Sequence, residues 1–236
     1  MKKYQILSGS VLKMIALITM LIDHTAAVIL KEIPFAVSTL FMIGSEKITV
    51  YYICRLIGRM AFPIYCFLLA EGFAYTRNRK KYGANLLIFA LISEIPWNLE
   101  HSGSFFHGSQ NVFFTLFFGF LAMYLYERFK DKKIFCCMAV LSVFAVAFVF
   151  HADYSVNGVG LILFMHIMRE KAAERTILGC CFFSKPFKVL PAFVIMNFYS
   201  GRRGFIRGKV GKYIFYAAYP LHMFILYWIK LKYFGY

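Results

Sequence analysis

Charged side chains are scarce in this chain, and acidic side chains are the scarcest. Of its 236 residues, 16% are charged, with 11 Asp and Glu against 27 Lys and Arg, whereas 61% are hydrophobic and 19% are aromatic. Several apolar runs approach the roughly 20 residues that a helix needs to cross a bilayer. No soluble domain fits between these runs, so the composition describes an integral membrane protein.

The sequence also lacks the short motifs that identify many enzymes and metal sites. It has no GxSxG turn, no glycine-rich phosphate loop ending in lysine, and no HExxH helix. The six cysteines show no CxxC spacing and lie in apolar segments, so we expect buried structural thiols. No two histidines are four residues apart, and nearby arginines would repel a cation, so no metal is expected.

The apolar runs predict an all-α, polytopic transmembrane bundle with about 7–8 membrane segments in one domain, 1–236. Their approximate positions are 11–30, 48–76, 83–99, 111–126, 134–150, 156–168, 176–199 and 213–230. Pro63 predicts a kink in the long second run. The first run follows Lys2 and Lys3 as in a signal peptide, but no small-residue cleavage site follows, so we expect a retained helix.

Basic residues cluster in alternate loops and predict the orientation. If each earlier run crosses once, one side receives Lys2, Lys3, Arg77, Arg79, Lys80, Lys81, Arg128, Lys130, Lys132, Lys133, Arg169, Lys171 and Arg175. Positive loops mark the cytoplasm, which places the amino terminus there and the protein in the plasma (inner) membrane. The same rule explains the net charge of +16, so no nucleic-acid partner is expected.

The run at 176–199 does not fit simple alternation. A complete crossing would carry the next basic cluster, Arg202, Arg203, Arg207, Lys209 and Lys212, to the opposite side. Because Lys185, Pro186, Lys188 and Pro191 interrupt the run, we predict a broken or re-entrant segment that returns to the cytoplasmic side.

Asp23 and His24 stand side by side inside the first apolar run. An ionisable group at membrane depth costs at least about 2.5 kcal/mol and usually faces the bundle interior or a polar cavity. The alternative is that both residues are solvated at the outer end of the helix. Counting inward from the outer ends places Arg55 at the depth of His24 and Arg59 one turn deeper.

Other polar residues fall near the same outer layer. These are Glu94, Gln110, Asn111, His151 and Asp153. Lys13 lies about 16 Å nearer the cytoplasm on the first helix, Glu71 and the segment Arg77–Lys81 share that inner end, and His222 falls at intermediate depth. The sequence therefore predicts a polar track between the two membrane surfaces.

Several members of this layer also have structural explanations. Glu94, followed by Pro96 and Trp97, is typical of a helix end at the interface. Arg55 and Arg59 could extend to the interface or form structural ion pairs. A structural role is expected for His166, which has only apolar neighbours in the sequence, and a solvated one for His101 and His107.

The predicted layer contains groups suited to proton transfer. Imidazole takes and returns a proton near neutral pH when another group orients it. Adjacent helix residues point about 100° apart, so Glu94 or Asp153 could contact His24 in place of Asp23. Arginines could hold an anion or stabilise an oxyanion, and the cytoplasmic basic residues could hold phosphates.

Five segments give the chain a resemblance to the TraX family, which is named for a conjugation protein that acetylates the pilin amino terminus. They are MLIDH at 20–24, RLIGRMAFPIYCFLLAEGFAYTRN at 55–78, LISEIPWNL at 91–99, QNVFFTL at 110–116 and YPLH at 219–222. The ten residues between Lys13 and His24 also resemble the first-helix motif of the broader histidine-dependent membrane acyltransferase superfamily.

The resemblance implies acetyl transfer from cytoplasmic acetyl-CoA, as co-substrate, to an acceptor at or beyond the outer leaflet. It makes His24 the general base or acyl carrier and Asp23 its electrostatic partner, with Lys13, Arg55 and Arg59 supporting the donor and the oxyanion. The expected catalytic set is His24, Asp23, Arg59 and Glu94. The expected donor-binding set is Lys13, Arg55, Glu71, Arg77 and Asn78. The expected acceptor-binding set is Gln110, Asn111, Asp153 and His222.

The acceptor and two rival functions stay open at the level of sequence. A pilin amino terminus, a glycan and a membrane lipid are all acceptable envelope acceptors. A small proton-coupled transporter or permease would use the same intramembrane acids, histidine and arginines, although no internal repeat is seen. A noncatalytic membrane scaffold is the third possibility.

Overall fold

The computed structural model describes residues 5–206 and 208–235. The basic charges predicted at Lys2, Lys3 and Arg207 lie outside the described residues, as does the side chain of Lys209.

Helices account for nearly all of the regular structure, which confirms the predicted helical bundle. The helices are α1 (Gly9–Val28), α2 (Pro34–Val37), α3 (Val50–Gly58), α4 (Ala61–Tyr75), α5 (Arg79–Ser102), α6 (Val112–Phe129), α7 (Lys133–Val149), α8 (Ser155–Ile167), α9 (Ala172–Cys180), α10 (Pro186–Asn197) and α11 (Gly208–Phe234). A 3-10 turn, Leu30–Glu32, follows α1.

One short hairpin departs from the all-helical expectation. Strands β1 (Phe41–Ile43) and β2 (Glu46–Ile48) pair antiparallel, with Phe41 opposite Ile48. Gly44 opens the two-residue turn at φ 59°, a conformation that glycine adopts without steric cost. The hairpin lies between α2 and α3 and was not predicted, because three-residue strands leave little alternation to detect in a sequence.

Length and apolarity give the bundle its membrane character. Within the described residues, four helical segments are long and apolar enough to cross a membrane: Gly9–Glu32, Val50–Tyr75, Val112–Phe129 and Val210–Phe234. Three further apolar helices, α7, α8 and α10, are shorter. The count of about 7–8 membrane segments stays a prediction.

The second apolar run bends, as Pro63 predicted, but the helix is interrupted before that proline. Helix α3 ends at Gly58 and α4 begins at Ala61, with Arg59 and Met60 in a turn between them. A proline has no backbone N–H and its ring clashes with the carbonyl four residues earlier, which is that of Arg59. Pro63 therefore cannot donate the helical hydrogen bond to the carbonyl of Arg59, and the break falls at that residue.

The run at 176–199 is broken, as predicted. Helices α9 and α10 pack against each other, and Pro186 begins the second of them. Asn197 near the end of α10 accepts a hydrogen bond from Arg175 Nη2 at 3.1 Å and donates one to Thr176 Oγ1 at 2.8 Å, both on α9. The hairpin therefore returns to the level at which it began.

The chain after α10 runs beside the start of α1. The backbone N–H groups of Gly9 and Ser10 donate to the carbonyls of Arg202 and Arg203 at 2.8 and 3.0 Å. This pairing places Arg202 and Arg203 at the same end of the bundle as the beginning of α1.

The core lies where α1, α4, α6 and α8 meet, and α11 packs against α1 and α5. Its fully buried side chains include Leu12, Phe67, Met123 and Ile162. The cysteines are free; Cys66 and Cys180 are buried, whereas Cys137 and Cys181 are exposed, so the expectation of buried thiols was wrong for the last two.

Candidate functional site

A cavity of about 910 Å³ lies inside the bundle along α1. Lys13 lines one part of its wall and His24 another, and eleven residues of helix separate them by about 16 Å. The remaining walls come from α4, α5, α6 and α11, from the loop before α8, and from the segments around 76–82 and 201–206. The volume falls in the range of roughly 300–1,000 Å³ that is common for ligand pockets.

Basic residues gather at the Lys13 part of the cavity, which we call the basic end. They are Lys13, Arg77, Lys81, Arg203 and Lys212. Within the described part of the chain, none of these five cations forms an ion pair. Uncompensated cations inside a partly apolar cavity attract an anionic ligand, and phosphate is the group that Arg and Lys bind best.

Two further residues of the predicted donor-binding set line the cavity but have structural partners. Glu71 accepts a hydrogen bond and ion pair from Arg169 Nε at 2.6 Å, which joins α4 to the segment after α8. Asn78 Oδ1 caps α5 by accepting from the backbone N–H of Lys81 at 2.9 Å. The Glu71 carboxylate is thus paired with Arg169 and does not neutralise the five cations.

His24 lines the other part of the cavity, the histidine end, and its contact there is a second histidine. His24 Nδ1 lies 2.5 Å from Nε2 of His222 on α11, and the two ring planes differ by 12°. The ring of Tyr219 packs edge-on against both imidazoles, with centroids 5.8 Å from His24 and 5.5 Å from His222. His222, predicted as an acceptor-binding residue, therefore contacts the predicted base directly and does not line the cavity.

Asp23 has a different partner from the one expected. Its Oδ2 accepts from Arg55 Nη1 at 2.7 Å, so depth counting correctly placed Arg55 near this pair, but the bond goes to Asp23 and not to His24 or a donor. Arg59, predicted as a catalytic residue one turn deeper than Arg55, is the C-cap residue of α3, and its exposed side chain is not part of the cavity wall.

Asp153 brings a carboxylate to the histidine end from the loop between α7 and α8. Gln110 fixes this loop through its backbone, since its N–H donates to His151 O and its carbonyl accepts from Asp153 N–H, each at 3.0 Å. The Asp153 side chain is accessible to water from the cavity while protein surrounds it. Burial among protein groups raises the pKa of Asp153 from 3.8 to about 6.

Glu94 and Asn111 form a structural unit away from His24. Asn111 Nδ2 donates to Glu94 Oε2 at 2.5 Å and to Ala90 O at 2.8 Å, and Asn111 Oδ1 caps α6 by accepting from Phe113 N–H at 3.0 Å. Neither residue lines the cavity. The predicted catalytic role of Glu94 and the predicted acceptor contacts of Gln110 and Asn111 are therefore not seen in the geometry.

Two other histidines have partners that sequence reasoning missed. His166 Nε2 lies 2.8 Å from Glu127 Oε1 on α6, and His101 stacks on Trp97 with ring centroids 3.8 Å apart. The spacing of Trp97 and His101 by one helical turn was a usable signal for the second contact. Among the described residues, no group of three or more His, Cys, Asp or Glu side chains is arranged to hold a metal ion.

These features define a class: a polytopic helical membrane protein with an internal cavity that joins a cluster of cations to a histidine pair. A sequence profile described as TraX protein matches residues 8–230, and the chain belongs to this family. A relative in Dichelobacter nodosus, "Probable fimbrial assembly protein FimC, serogroup H1", is 28% identical over 245 residues, covering 91% of this chain and 92% of its own. No solved structure matches the chain.

Proposed function

We propose that this chain is a membrane acyltransferase that moves an acetyl group from cytoplasmic acetyl-CoA to an amino or hydroxyl group of an envelope acceptor. One observation carries the proposal: a single cavity contains both the five unpaired cations of the basic end and His24. A donor held by its phosphates at one end can present its acyl thioester at the other.

The basic end fits the charge of coenzyme A. That donor carries its phosphates at one end of a long, flexible pantetheine arm, and the thioester is at the far end of the arm. Arg77 and Arg203 would hold phosphate oxygens as paired donors, and Lys13, Lys81 and Lys212 as point charges. The basic end then faces the cytoplasm of an inner membrane, in agreement with the positive-inside rule.

His24 supplies the proton transfer. Its imidazole takes the proton of the acceptor N–H or O–H as that atom attacks the acetyl carbonyl carbon. The carbon–sulfur bond then breaks, and the imidazolium returns the proton to the thiolate, so the products are the acetylated acceptor and free CoA. As an acyl carrier, His24 would itself hold the acetyl group between two such transfers.

The acceptor proposed first is a pilin amino terminus. The support is membership of the TraX family and the word fimbrial in the relative's name. Envelope glycans and membrane lipids remain the other acceptor classes for the experiment. In this proposal the carboxylate of Asp153, which lines the same cavity as His24, would orient the amino group of the acceptor.

The test uses the full chain in proteoliposomes with acetyl-CoA labelled in the acetyl group. An amino-terminal pilin peptide and an envelope extract serve as parallel acceptors, and label incorporated per unit of inserted protein is measured. We expect incorporation with the parent protein and at least about 100-fold less with His24→Ala, the usual size of a general-base effect.

A matched control comes from His166 on α8, a histidine that does not line the cavity. His166→Gln keeps a donor for Glu127 and lies off the cavity wall, so it should transfer label at the parent rate. Transfer by His24→Ala at the parent rate would contradict the catalytic assignment. Acceptor flux across the bilayer without consumption of acetyl-CoA would instead support a transporter.

A further inference from the structure

His222 has a geometry that fixes which nitrogen of His24 carries a proton. Its Nδ1 lies 2.7 Å from the carbonyl oxygen of Ala218, one turn earlier on α11. A carbonyl oxygen only accepts hydrogen bonds, so His222 Nδ1 must carry the hydrogen. In the neutral ring the other nitrogen, Nε2, then has a lone pair and no proton.

The lone pair of His222 Nε2 determines the state of His24. His24 Nδ1 lies 2.5 Å from it, a distance at which two lone pairs would repel, so His24 Nδ1 must hold the hydrogen and donate. The carbonyl of Ala218 thus fixes the hydrogen of His222 on Nδ1, and His222 in turn fixes the hydrogen of His24 on its Nδ1. His24 Nε2 is left as the unprotonated nitrogen, and no protein group among the described residues hydrogen-bonds to it.

We propose that His222 is a positioning residue, which holds His24 in the Nδ1–H tautomer and leaves Nε2 free to take the acceptor's proton in the cavity. The rings of both histidines are held in place by Tyr219, which packs edge-on against each. When His24 gains a proton at Nε2, its Nδ1–H still donates to a neutral acceptor, so the cation keeps its hydrogen bond. The kinetic part of this inference rests on the proposed acyl transfer, whereas the tautomer does not.

Two substitutions of His222 distinguish the effect of its hydrogen-bond acceptor from the effect of losing the imidazole ring. The amide of His222→Gln reaches the position of Nε2 and offers an oxygen to His24, whereas the shorter amide of His222→Asn matches Nδ1 and leaves His24 Nδ1 without an acceptor. Both variants remove the imidazole and keep a polar amide. Size-exclusion profile and thermal unfolding in detergent establish that each variant inserts and folds.

The first readout is the tautomer, measured by nitrogen-15 NMR of ring-labelled histidine in nanodiscs, with His24 assigned by the loss of its signal in His24→Ala. We expect an unprotonated Nε2 in the parent and in His222→Gln, and an Nε2–H in His222→Asn. An Nε2–H tautomer in the parent protein, or an unchanged tautomer in His222→Asn, would overturn the proposal.

The second readout is the transfer rate with labelled acetyl-CoA as a function of pH. We expect kcat to fall by about 10-fold or more in His222→Asn with KM unchanged, and to return within a few-fold of the parent in His222→Gln. Equal loss in both variants would refute the positioning role. Absence of transfer in the parent would refute the proposed function alone, because the NMR result still decides the tautomer.

Discussion

Helix α3 approaches α1 closely at Gly58. A Cβ atom placed there would lie 2.1 Å from Asp23 Oδ1 and 2.2 Å from Asp23 Cβ. Because the Cβ of Asp23 is fixed to the backbone of α1, the side chain cannot rotate away from this clash. Only glycine at position 58 allows Asp23 to sit beside His24 and bond to Arg55 at the same time.

Gly58→Ala is therefore expected to lower the stability of the bundle. Added volume in a packed interior costs about 1–3 kcal/mol, and the shift of α1 should also disturb the Asp23–Arg55 pair. Thermal unfolding in detergent measures the first effect. Gly108→Ala is the control, because nothing lies within 4 Å of the added methyl group. Equal unfolding temperatures for the two variants would contradict the close approach.

The raised pKa of Asp153 predicts how this residue affects the pH dependence of the free energy of unfolding. Its pKa is about 6 in the folded protein and 3.8 as the ordinary value, so between these pH values the folded state binds more protons than the unfolded state. The contribution of Asp153 to the free energy of unfolding therefore falls as pH rises from about 4 through 6. Asp153→Asn should remove this part of the pH dependence, measured by chemical unfolding in detergent.

The control for this measurement removes an exposed acid. Glu170→Gln deletes a carboxylate whose side chain is 89% exposed, and it should keep the parent's pH dependence. If Asp153→Asn kept the parent's pH dependence between about pH 4 and pH 6, Asp153 would not be the carboxyl that takes up the proton on folding.

At the scale of residues, the sequence predicted how deep a side chain lies in the bundle but not which neighbouring helix it faces. Counting along helices placed Lys13, Asp23 and His24 correctly along one cavity and Arg55 at the level of Asp23, because a helix has a fixed rise. It could not find the His24–His222 contact, since 198 residues separate the two and only packing decides which faces of α1 and α11 meet. Glu94 shared the depth of His24 but faces Asn111.

At the scale of elements, breaks in the apolar runs were more informative than the runs themselves. Pro63 predicted a bend, and Lys185 and Pro186 correctly predicted the interruption that separates α9 from α10, whereas Lys188 and Pro191 lie inside α10. Both follow from missing backbone donors and from charges that an uninterrupted apolar helix does not accommodate. The β1–β2 hairpin was missed because residues 31–47 lie between two apolar runs, where a loop was expected, and three-residue strands leave little alternation to detect.

The α9–α10 hairpin predicts that its two flanks lie on the same side of the membrane. In a cysteine-free background, Lys171→Cys and Arg202→Cys should react with an impermeant maleimide from one face of sealed vesicles. Gly108→Cys, in the loop after α5, should react from the other face. Labelling of positions 171 and 202 from opposite faces would show that the region crosses the membrane once.

At the scale of the whole molecule, five of the 27 basic residues gather at the end of the cavity where the proposed donor would enter. Acidic residues are few, and the acid nearest the basic end, Glu71, is paired with Arg169. The cavity thus keeps a positive potential at one end and a neutral histidine pair at the other. This separation attracts an anionic donor to one end and keeps the five unpaired cations away from His24, where the neighbouring cation, Arg55, is paired with Asp23.

The basic end should determine the KM for acetyl-CoA and its salt dependence. Arg77→Gln or Lys81→Gln is expected to raise KM by roughly 3–10-fold, the equivalent of about 0.7–1.4 kcal/mol for one partly screened charge, with kcat nearly unchanged. Higher ionic strength should raise KM in the parent protein, and more weakly in the variants, because the Debye length falls to about 8 Å at 0.15 M. Lys132→Gln removes the same charge from an exposed loop away from the cavity and should leave KM unchanged. If Lys132→Gln and Arg77→Gln raise KM equally, net charge and not the cavity holds the donor.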